Sequence, residues 1–163
     1  MINEETTIVQ IADMKIRKSS GTLITYALGS CVGISLYDPV VKVAALIHIM
    51  LPEAPIGVEA VSVFKYADSA IVSTLRKLTV FGAVNRRLVC KIAGGAKMFQ
   101  ISSNSAIGNV GERNVAMTKR ILMKEGVSIS KEVTGGSQAR TLWINVATGE
   151  VKLRAAGQSE ITI

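Results

Sequence analysis

The apolar run at Val43–Met50 restricts the fold more than any other feature of this sequence. It reads VAALIHIM and contains His48, the only histidine of the chain. A run of this length without polar alternation is typical of a strand that is buried on both faces. We therefore expect His48 inside a sheet, in a setting where a histidine is more often a satisfied core residue than a reactive group.

Strands outnumber helices in the rest of the pattern. The segments Ser62–Phe81 and Asn114–Glu125 have the three- and four-residue apolar spacing of helices, which end at Gly82 and Gly126. The predicted inward residues are Ala67, Ala70, Ile71, Thr74, Leu75 and Leu78 in the first helix and Val115, Ile121 and Leu122 in the second. The predicted strands are 8–16, 22–26, 31–37, 43–50, 87–92, 127–133, 141–146 and 151–154. Such a majority of strands, without strict alternation with helices, favours the α+β class over a doubly wound parallel sheet.

Length and composition predict one globular domain over residues 1–163. Apolar residues make up 48% of the chain and charged residues 19%, which disfavours disorder. No segment approaches the ~20 apolar residues of a membrane-spanning helix, and the acidic start Met1–Glu5 does not resemble a signal peptide. Two distant cysteines without an export signal indicate reduced thiols in the cytoplasm.

The charge balance favours an acidic partner. Lys and Arg number 19 against 12 Asp and Glu, so the formal net charge is +7. The basic residues are scattered and aromatic residues make up only 4%, so a base-stacking surface is hard to build. We therefore expect an acidic protein surface rather than nucleic acid as the partner.

Cys31 is a candidate nucleophile because it follows a Leu28–Gly29–Ser30 turn that interrupts two strand segments. Glycine there lets the backbone bend and lets a substrate approach its N–H groups. A thiol needs a base to ionise near neutral pH, and His48 can lie beside Cys31 if their two strands are neighbours. The alternative is that Cys31 is inert core, as most cysteines on strands are. Cys90, in the segment LVCKIA without a glycine turn, is expected to be such a core residue.

The chain resembles the CheD family, the chemoreceptor glutamine deamidases, over about Thr7–Arg154. The family carries a threonine before an LGSC turn and a histidine in an H-x-M-L-P segment, and here these are Thr25, Leu28–Cys31 and His48–Pro52. Further family-like segments follow in the expected order at 65–68, 91–99, 107–108, 112–114 and 135–136, with Arg140 after them. The ordered set is far more specific than LGSC alone.

This resemblance implies an α/β/β sandwich, in which two packed, mainly antiparallel sheets carry about two helices on one side. It also implies a protein-glutamine deamidase with Cys31 as thiol nucleophile and His48 as its base. Thr25 would fix the imidazole through its hydroxyl or its backbone carbonyl. Backbone N–H groups at Gly29 and Ser30 are candidates to hold the oxyanion. The implied mechanism uses no cofactor, and neither cysteine has the histidine or acidic cluster of a metal site.

The implied substrate is the cytoplasmic region of methyl-accepting chemotaxis receptors. The resemblance further implies regulation by a CheC-type CheY phosphatase and a cytoplasmic location at membrane receptor arrays. A glutamyl methyl ester can enter by the same route, so methylesterase activity is expected as a second activity. A non-catalytic adaptor for receptor and phosphatase, and a general thiol hydrolase, are the alternatives.

Three further residues concern the substrate. Arg113 lies in a loop predicted at 107–114 and is a candidate for the substrate entrance, or equally for a structural ion pair. Ile47 stands where many family members have asparagine, and Thr134 where many have aspartate. Both departures lie outside the Cys31, His48 and Thr25 set, so they bear on substrate preference rather than chemistry.

Overall fold

The computed structural model describes residues 5–57, 62–98 and 109–163, which form two five-stranded sheets and two α-helices. The strands are β1 (Thr6–Ile8), β2 (Asp13–Lys18), β3 (Thr22–Leu28), β4 (Val32–Asp38), β5 (Val43–Ile49), β6 (Val89–Gly94), β7 (Ile129–Thr134), β8 (Arg140–Asn145), β9 (Val151–Ala155) and β10 (Ile161–Thr162). The helices are α1 (Ala67–Val80) and α2 (Val110–Lys124), and single 3₁₀ turns occupy 63–65 and 85–87. None of the helices in these ranges is long and apolar enough to cross a membrane.

The two sheets are mixed but mainly antiparallel. The first sheet has the order β1-β3-β8-β9-β10 and the second has the order β2-β5-β4-β6-β7. Only the β1–β3 and β6–β7 pairs are parallel among these strands. This arrangement confirms the predicted α+β sandwich.

Strand β5 lies at the centre of the molecule, with a layer on each side. Its alternate residues Val43, Ala45 and Ile47 belong to the apolar cluster that both helices cover. Ala44 and Leu46 belong to a second cluster, between the two sheets. Since successive side chains of a strand point to opposite faces, the layers on both sides explain why this segment has no polar alternation. The prediction of a strand buried on both faces is confirmed.

Helix α1 is the helix predicted from periodicity. All six residues predicted to face inward are buried, and the helix is followed by Gly82 with φ of +89°. Its apolar stripe packs on the helix-facing side of the second sheet.

Two predicted elements are wrong in their bounds, and one observed strand was not predicted. The segment 8–16 is not one strand, because Ala12, with φ of +58°, separates β1 in the first sheet from β2 in the second. Helix α2 begins at Val110, so Arg113 is helical and not part of a loop. The rest of the predicted loop, at 107–108, lies outside the described residues. The short strand β10 carries too few residues to show any pattern in the sequence.

Candidate active site

Cys31 lies where the chain passes from the first sheet to the second. Strand β3 pairs with β8 up to Thr25, and the register then shifts before Leu28. Within that bulge Ala27 has φ of +58°, and its carbonyl accepts a hydrogen bond from the Gly29 N–H at 2.9 Å. A bulge bends a strand and re-aims the residues that follow. The turn that carries Cys31 is therefore set by the bulge at the end of β3, and the residue in the left-handed region is Ala27 rather than Gly29, where the sequence predicted the bend.

The end of β6 supports this turn from behind. The Gly95 N–H donates to the Cys31 carbonyl and the Ala96 N–H donates to the Gly29 carbonyl, both at 2.8 Å. Gly94 has φ of +114°, and a Cβ atom placed on it would lie 2.2 Å from the Cys31 carbonyl oxygen. Only glycine allows this approach. The glycine pair at the end of β6, Gly94 and Gly95, thus serves to hold the cysteine turn.

His48 is fully buried on β5 and faces the first sheet. It pairs with Gly33 on one side and with Asp13 on the other. A Cβ atom at Gly33 would lie 2.8 Å from a methyl group of Leu28 and 3.0 Å from one of Leu142, both in the first sheet. Side chains at paired positions share a face, so the imidazole lies in the layer between the sheets.

The hydroxyl of Thr25 determines the tautomer of His48. Thr25 Oγ1 is 2.8 Å from the Val9 carbonyl oxygen and 2.7 Å from His48 Nδ1. The hydroxyl has one proton, and the carbonyl can only accept, so that proton goes to Val9. Nδ1 must then carry the imidazole proton and donate it to Thr25. His48 Nε2 is left with its lone pair, and it is buried without a hydrogen-bond partner in the described ranges.

Cys31 and His48 are diagonal neighbours rather than a hydrogen-bonded pair. Cys31 immediately precedes β4 and lies two residues before Gly33, the partner of His48. It packs against the cluster between the sheets, so its side chain faces the same layer as the imidazole. Diagonal positions on paired strands are roughly 7–8 Å apart. No hydrogen bond links the thiol to Nε2 among the residues described.

Burial keeps both groups in their neutral forms. It lowers the pKa of His48 from 6.5 to about 4, against a smaller opposing effect of the Asp13 charge. Burial also raises the pKa of Cys31, while the residue's own backbone N–H acts in the opposite direction. At pH 7 the site therefore holds a thiol and a neutral imidazole whose Nε2 can accept a proton. The pKa of the control residue Cys90 is raised by burial to about 12, and its side chain is fully buried, which confirms its assignment to the core.

The buried imidazole should make stability depend on pH between about 6.5 and 4. The unfolded chain binds a proton on His48 below its ordinary pKa of 6.5, whereas the folded chain resists protonation until about 4. Stability is therefore lost as pH falls through this window and is fully present above it. At 1.36 kcal/mol per pKa unit the loss amounts to about 3 kcal/mol. Urea unfolding of the unmutated protein and of His48→Gln, at pH 7 and pH 4, isolates the contribution of His48 to the free energy of unfolding. Equal losses of this free energy in the two proteins between pH 7 and pH 4 would contradict the prediction.

The backbone N–H groups of the turn differ in their availability. The Gly29 N–H is occupied by the Ala27 carbonyl, which removes it from the oxyanion candidates in this conformation. Within the described part of the chain, the N–H groups of Ser30 and Cys31 donate to no acceptor of another residue. Both residues are only half-buried. They are the donors that a developing oxyanion at the thiol could reach.

Helix α2 carries two adjacent residues that bear on the site, one predicted and one missed by sequence reasoning. The predicted one, Arg113, is exposed on the outer side of the helix, and its role at the substrate entrance stays a prediction. Its neighbour Asn114 is fully buried and donates hydrogen bonds to backbone carbonyls on both sides of the site. The signal available in the sequence was Asn114 four residues before Thr118, two polar residues on the buried stripe of an amphipathic helix.

The described ranges contain no group of three or more His, Cys, Asp or Glu side chains that could hold a metal ion. These ranges bring together the Thr25–His48 pair and the half-buried thiol of Cys31, which lies two residues before Gly33, the strand partner of His48. They also contribute two backbone donors, the N–H groups of Ser30 and Cys31. This combination can support general-base activation of a thiol and covalent attack on a carbonyl carbon.

Known proteins with similar sequences cover almost the whole chain. The family model for CheD chemotactic sensory transduction matches residues 50–155. A protein of Caldanaerobacter subterraneus subsp. tengcongensis is 45% identical over 149 residues, which cover 91% of this chain and 92% of the relative. One of Pyrococcus abyssi is 42% identical over 146 residues, which cover 90% and 89%. One of Clostridium botulinum strain Alaska E43 is 40% identical over 149 residues, which cover 91% and 92%.

All three relatives bear the name "Probable chemoreceptor glutamine deamidase CheD". Among solved structures, Bacillus licheniformis hypothetical protein YfiH is similar with a TM-score of 0.44 and 12% identity, over 71% of this chain and 47% of that one. That structural similarity is too low to support an argument. The sequence matches, at 40–45% identity over about nine-tenths of this chain and of each relative, establish that this chain belongs to the CheD family.

Proposed function

We propose that this chain is a chemoreceptor glutamine deamidase with Cys31 as nucleophile, His48 as general base and Thr25 as the group that orients the base. The observation that carries the proposal is the Thr25 hydroxyl bound to His48 Nδ1 at 2.7 Å. That bond leaves Nε2 as the basic atom, in the layer that Cys31 faces. The relatives' name supplies the substrate class, receptor glutamine side chains.

The proposed reaction begins when the thiol proton of Cys31 moves to His48 Nε2 as sulfur attacks the glutamine amide carbon. The carbonyl π electrons move to oxygen, and the N–H groups of Ser30 and Cys31 donate to this oxyanion. The imidazolium then protonates the amide nitrogen, the C–N bond breaks, and ammonia leaves. Water hydrolyses the thioester, which releases glutamate and restores the thiol.

Proton transfer in this proposal accompanies attack instead of preceding it. Burial raises the pKa of Cys31 and lowers that of His48, so a standing thiolate–imidazolium pair is disfavoured in the free protein. This departs from the ion pair that the chemistry of cysteine nucleophiles first suggests. The pKa directions support a general-base mechanism, in which Nε2 needs its lone pair only in the transition state.

The proposal extends to regulation and to a second substrate on the strength of the family resemblance. A glutamyl methyl ester presents the same acyl carbon, with methanol as the leaving group in place of ammonia. A CheC-type phosphatase is the proposed regulator, and receptor arrays at the cytoplasmic side of the membrane are the proposed location. The net charge of +7 suits an acidic receptor surface.

The test is incubation with cytoplasmic fragments of a chemoreceptor, followed by mass spectrometry of the peptides. Specific glutamines should acquire the amide-to-acid mass change, with release of one ammonia for each conversion. Fragments with those glutamines replaced by asparagine are the matched substrate control. Tight binding of the fragments without any conversion would favour the adaptor alternative.

Cys31 should react with iodoacetamide faster than Cys90 at neutral pH. The Cys31 thiol is half-buried and is a diagonal neighbour of His48, whose Nε2 has no hydrogen-bond partner in the described ranges, whereas the Cys90 side chain is fully buried with its pKa raised to about 12. Thiolate fraction and access both set the rate of alkylation. Peptide mass spectrometry after short labelling of the native protein measures the two rates. Equal slow labelling would count against an activated thiol.

A further inference from the structure

Asn114 joins the two segments that carry Cys31 and His48, although it lies in neither. Its side chain is fully buried on the inner face of α2. Its Nδ2 donates hydrogen bonds to the Ser30 carbonyl oxygen at 2.9 Å and to the Met50 carbonyl oxygen at 2.8 Å. Ser30 precedes Cys31 in the turn, and Met50 is two residues beyond His48. One amide group therefore ties the turn of the thiol to the strand end of the imidazole.

The orientation of this amide follows from its partners. Both are carbonyl oxygens, which only accept hydrogen bonds, so the NH₂ group of Asn114 must face them. Its Oδ1 is then buried, with no hydrogen-bond partner in the part of the chain that the structure describes. A buried amide oxygen without a partner costs free energy. An apolar side chain would avoid this cost, as Leu122 does two turns further along the same buried face. The two donated bonds are the gain that offsets it.

We propose that Asn114 is a positioning residue for the thiol–imidazole pair. This inference rests on the roles proposed above for Cys31 and His48. By holding the carbonyls of Ser30 and Met50 to one amide, Asn114 sets the separation of the sulfur, in the turn before β4, and Nε2, on β5, which share no hydrogen bond. It also holds the peptide between Ser30 and Cys31, whose N–H is one of the two proposed oxyanion donors. Catalysis is sensitive to shifts of this kind, since a 1 Å misplacement can cost about 10²-fold in rate.

Thr118 provides a matched control on the same helix. It is one turn beyond Asn114, is also fully buried, and its Oγ1 likewise has no hydrogen-bond partner in the described ranges. Its side chain makes no hydrogen bond to the cysteine turn or to the end of β5. Thr118→Val therefore alters a buried polar group of α2 without releasing the two catalytic segments.

The first test is a double-mutant cycle on the alkylation rate of Cys31 at pH 7. Asn114→Ala should slow alkylation by about tenfold, a factor within the range of coupling energies for residues of one network. In a His48→Ala background the same change should have no further effect, because the distance to the imidazole no longer matters. Thr118→Val should leave the rate unchanged in both backgrounds. This measurement needs no receptor, so it can succeed even if the proposed deamidase activity fails.

The second test is deamidation of receptor fragments, in which Asn114→Ala should lower kcat by about 10²-fold with little change in KM. Asn114→Asp is the second variant, for use also if the alanine variant does not fold. It keeps the shape of the side chain, but an ionised carboxylate cannot donate to the two carbonyls. It should therefore be at least as impaired at neutral pH. A lower melting temperature with unchanged kcat and unchanged alkylation would overturn the proposal. Equal slowing of alkylation with and without His48 would also overturn it.

Discussion

Cys31→Ala is expected to abolish the conversion of receptor glutamines to glutamates while leaving the fold intact. The variant removes the thiol proposed as the nucleophile, so no thioester can form. The side chain is small and half-buried, and the turn around it is held by backbone hydrogen bonds to Gly95 and Ala96, which do not involve the sulfur. Ammonia release and the amide-to-acid mass change on receptor fragments measure the loss.

Cys90→Ala is the matched control for this prediction. Cys90 lies in the helix-facing cluster on β6 and contributes to packing alone. Its replacement should lower the free energy of unfolding by a cavity effect, with the deamidation rate per folded molecule unchanged. Deamidation by Cys31→Ala at the unmutated rate would refute the mechanism.

His48→Ala is expected to slow deamidation by about 10²–10⁴-fold, the range for loss of a general acid–base group. Both the activation of Cys31 and the protonation of departing ammonia depend on Nε2. Thr25→Ala should also be severe, because the hydroxyl is what bonds to Nδ1. Without that acceptor the imidazole can hold its proton on Nε2, which leaves no lone pair toward the thiol. Thr25→Ser keeps the hydroxyl and should retain most of the activity.

The catalytic roles of His48 and Thr25 are separated from purely structural roles by the deamidation rate per folded molecule. Circular dichroism quantifies the folded fraction of each variant. Thr25→Val is the control for packing, since it fills the space of Thr25 without a hydroxyl. If Thr25→Val and Thr25→Ser are equally active, the hydroxyl does not orient the base. If His48→Ala unfolds the protein and has no separate effect on the folded fraction, His48 is a core residue.

The sequence by itself predicted the parts of this molecule that depend on local periodicity. The six inward residues of α1, the doubly buried strand β5 and the core position of Cys90 all follow from which side chains avoid water. The ordered family-like segments predicted the CheD family and the sandwich. The roles of Cys31 and His48 stay predictions, because neither pattern nor fold measures reactivity.

The tertiary structure decided how these segments meet. The choice between the hydroxyl and the carbonyl of Thr25 depends on a 2.7 Å contact between β3 and β5, which lie in different sheets. The role of Gly94 depends on the approach of β6 to the Cys31 carbonyl. The sequence pattern marks Asn114 only as one more residue of an amphipathic helix, whereas its hydrogen bonds to the Ser30 and Met50 carbonyls depend on the packing of α2 against the cysteine turn and the end of β5. The physical reason is the same for each: hydrogen bonds across layers join residues far apart in the chain, and periodicity reports only which face of an element is buried.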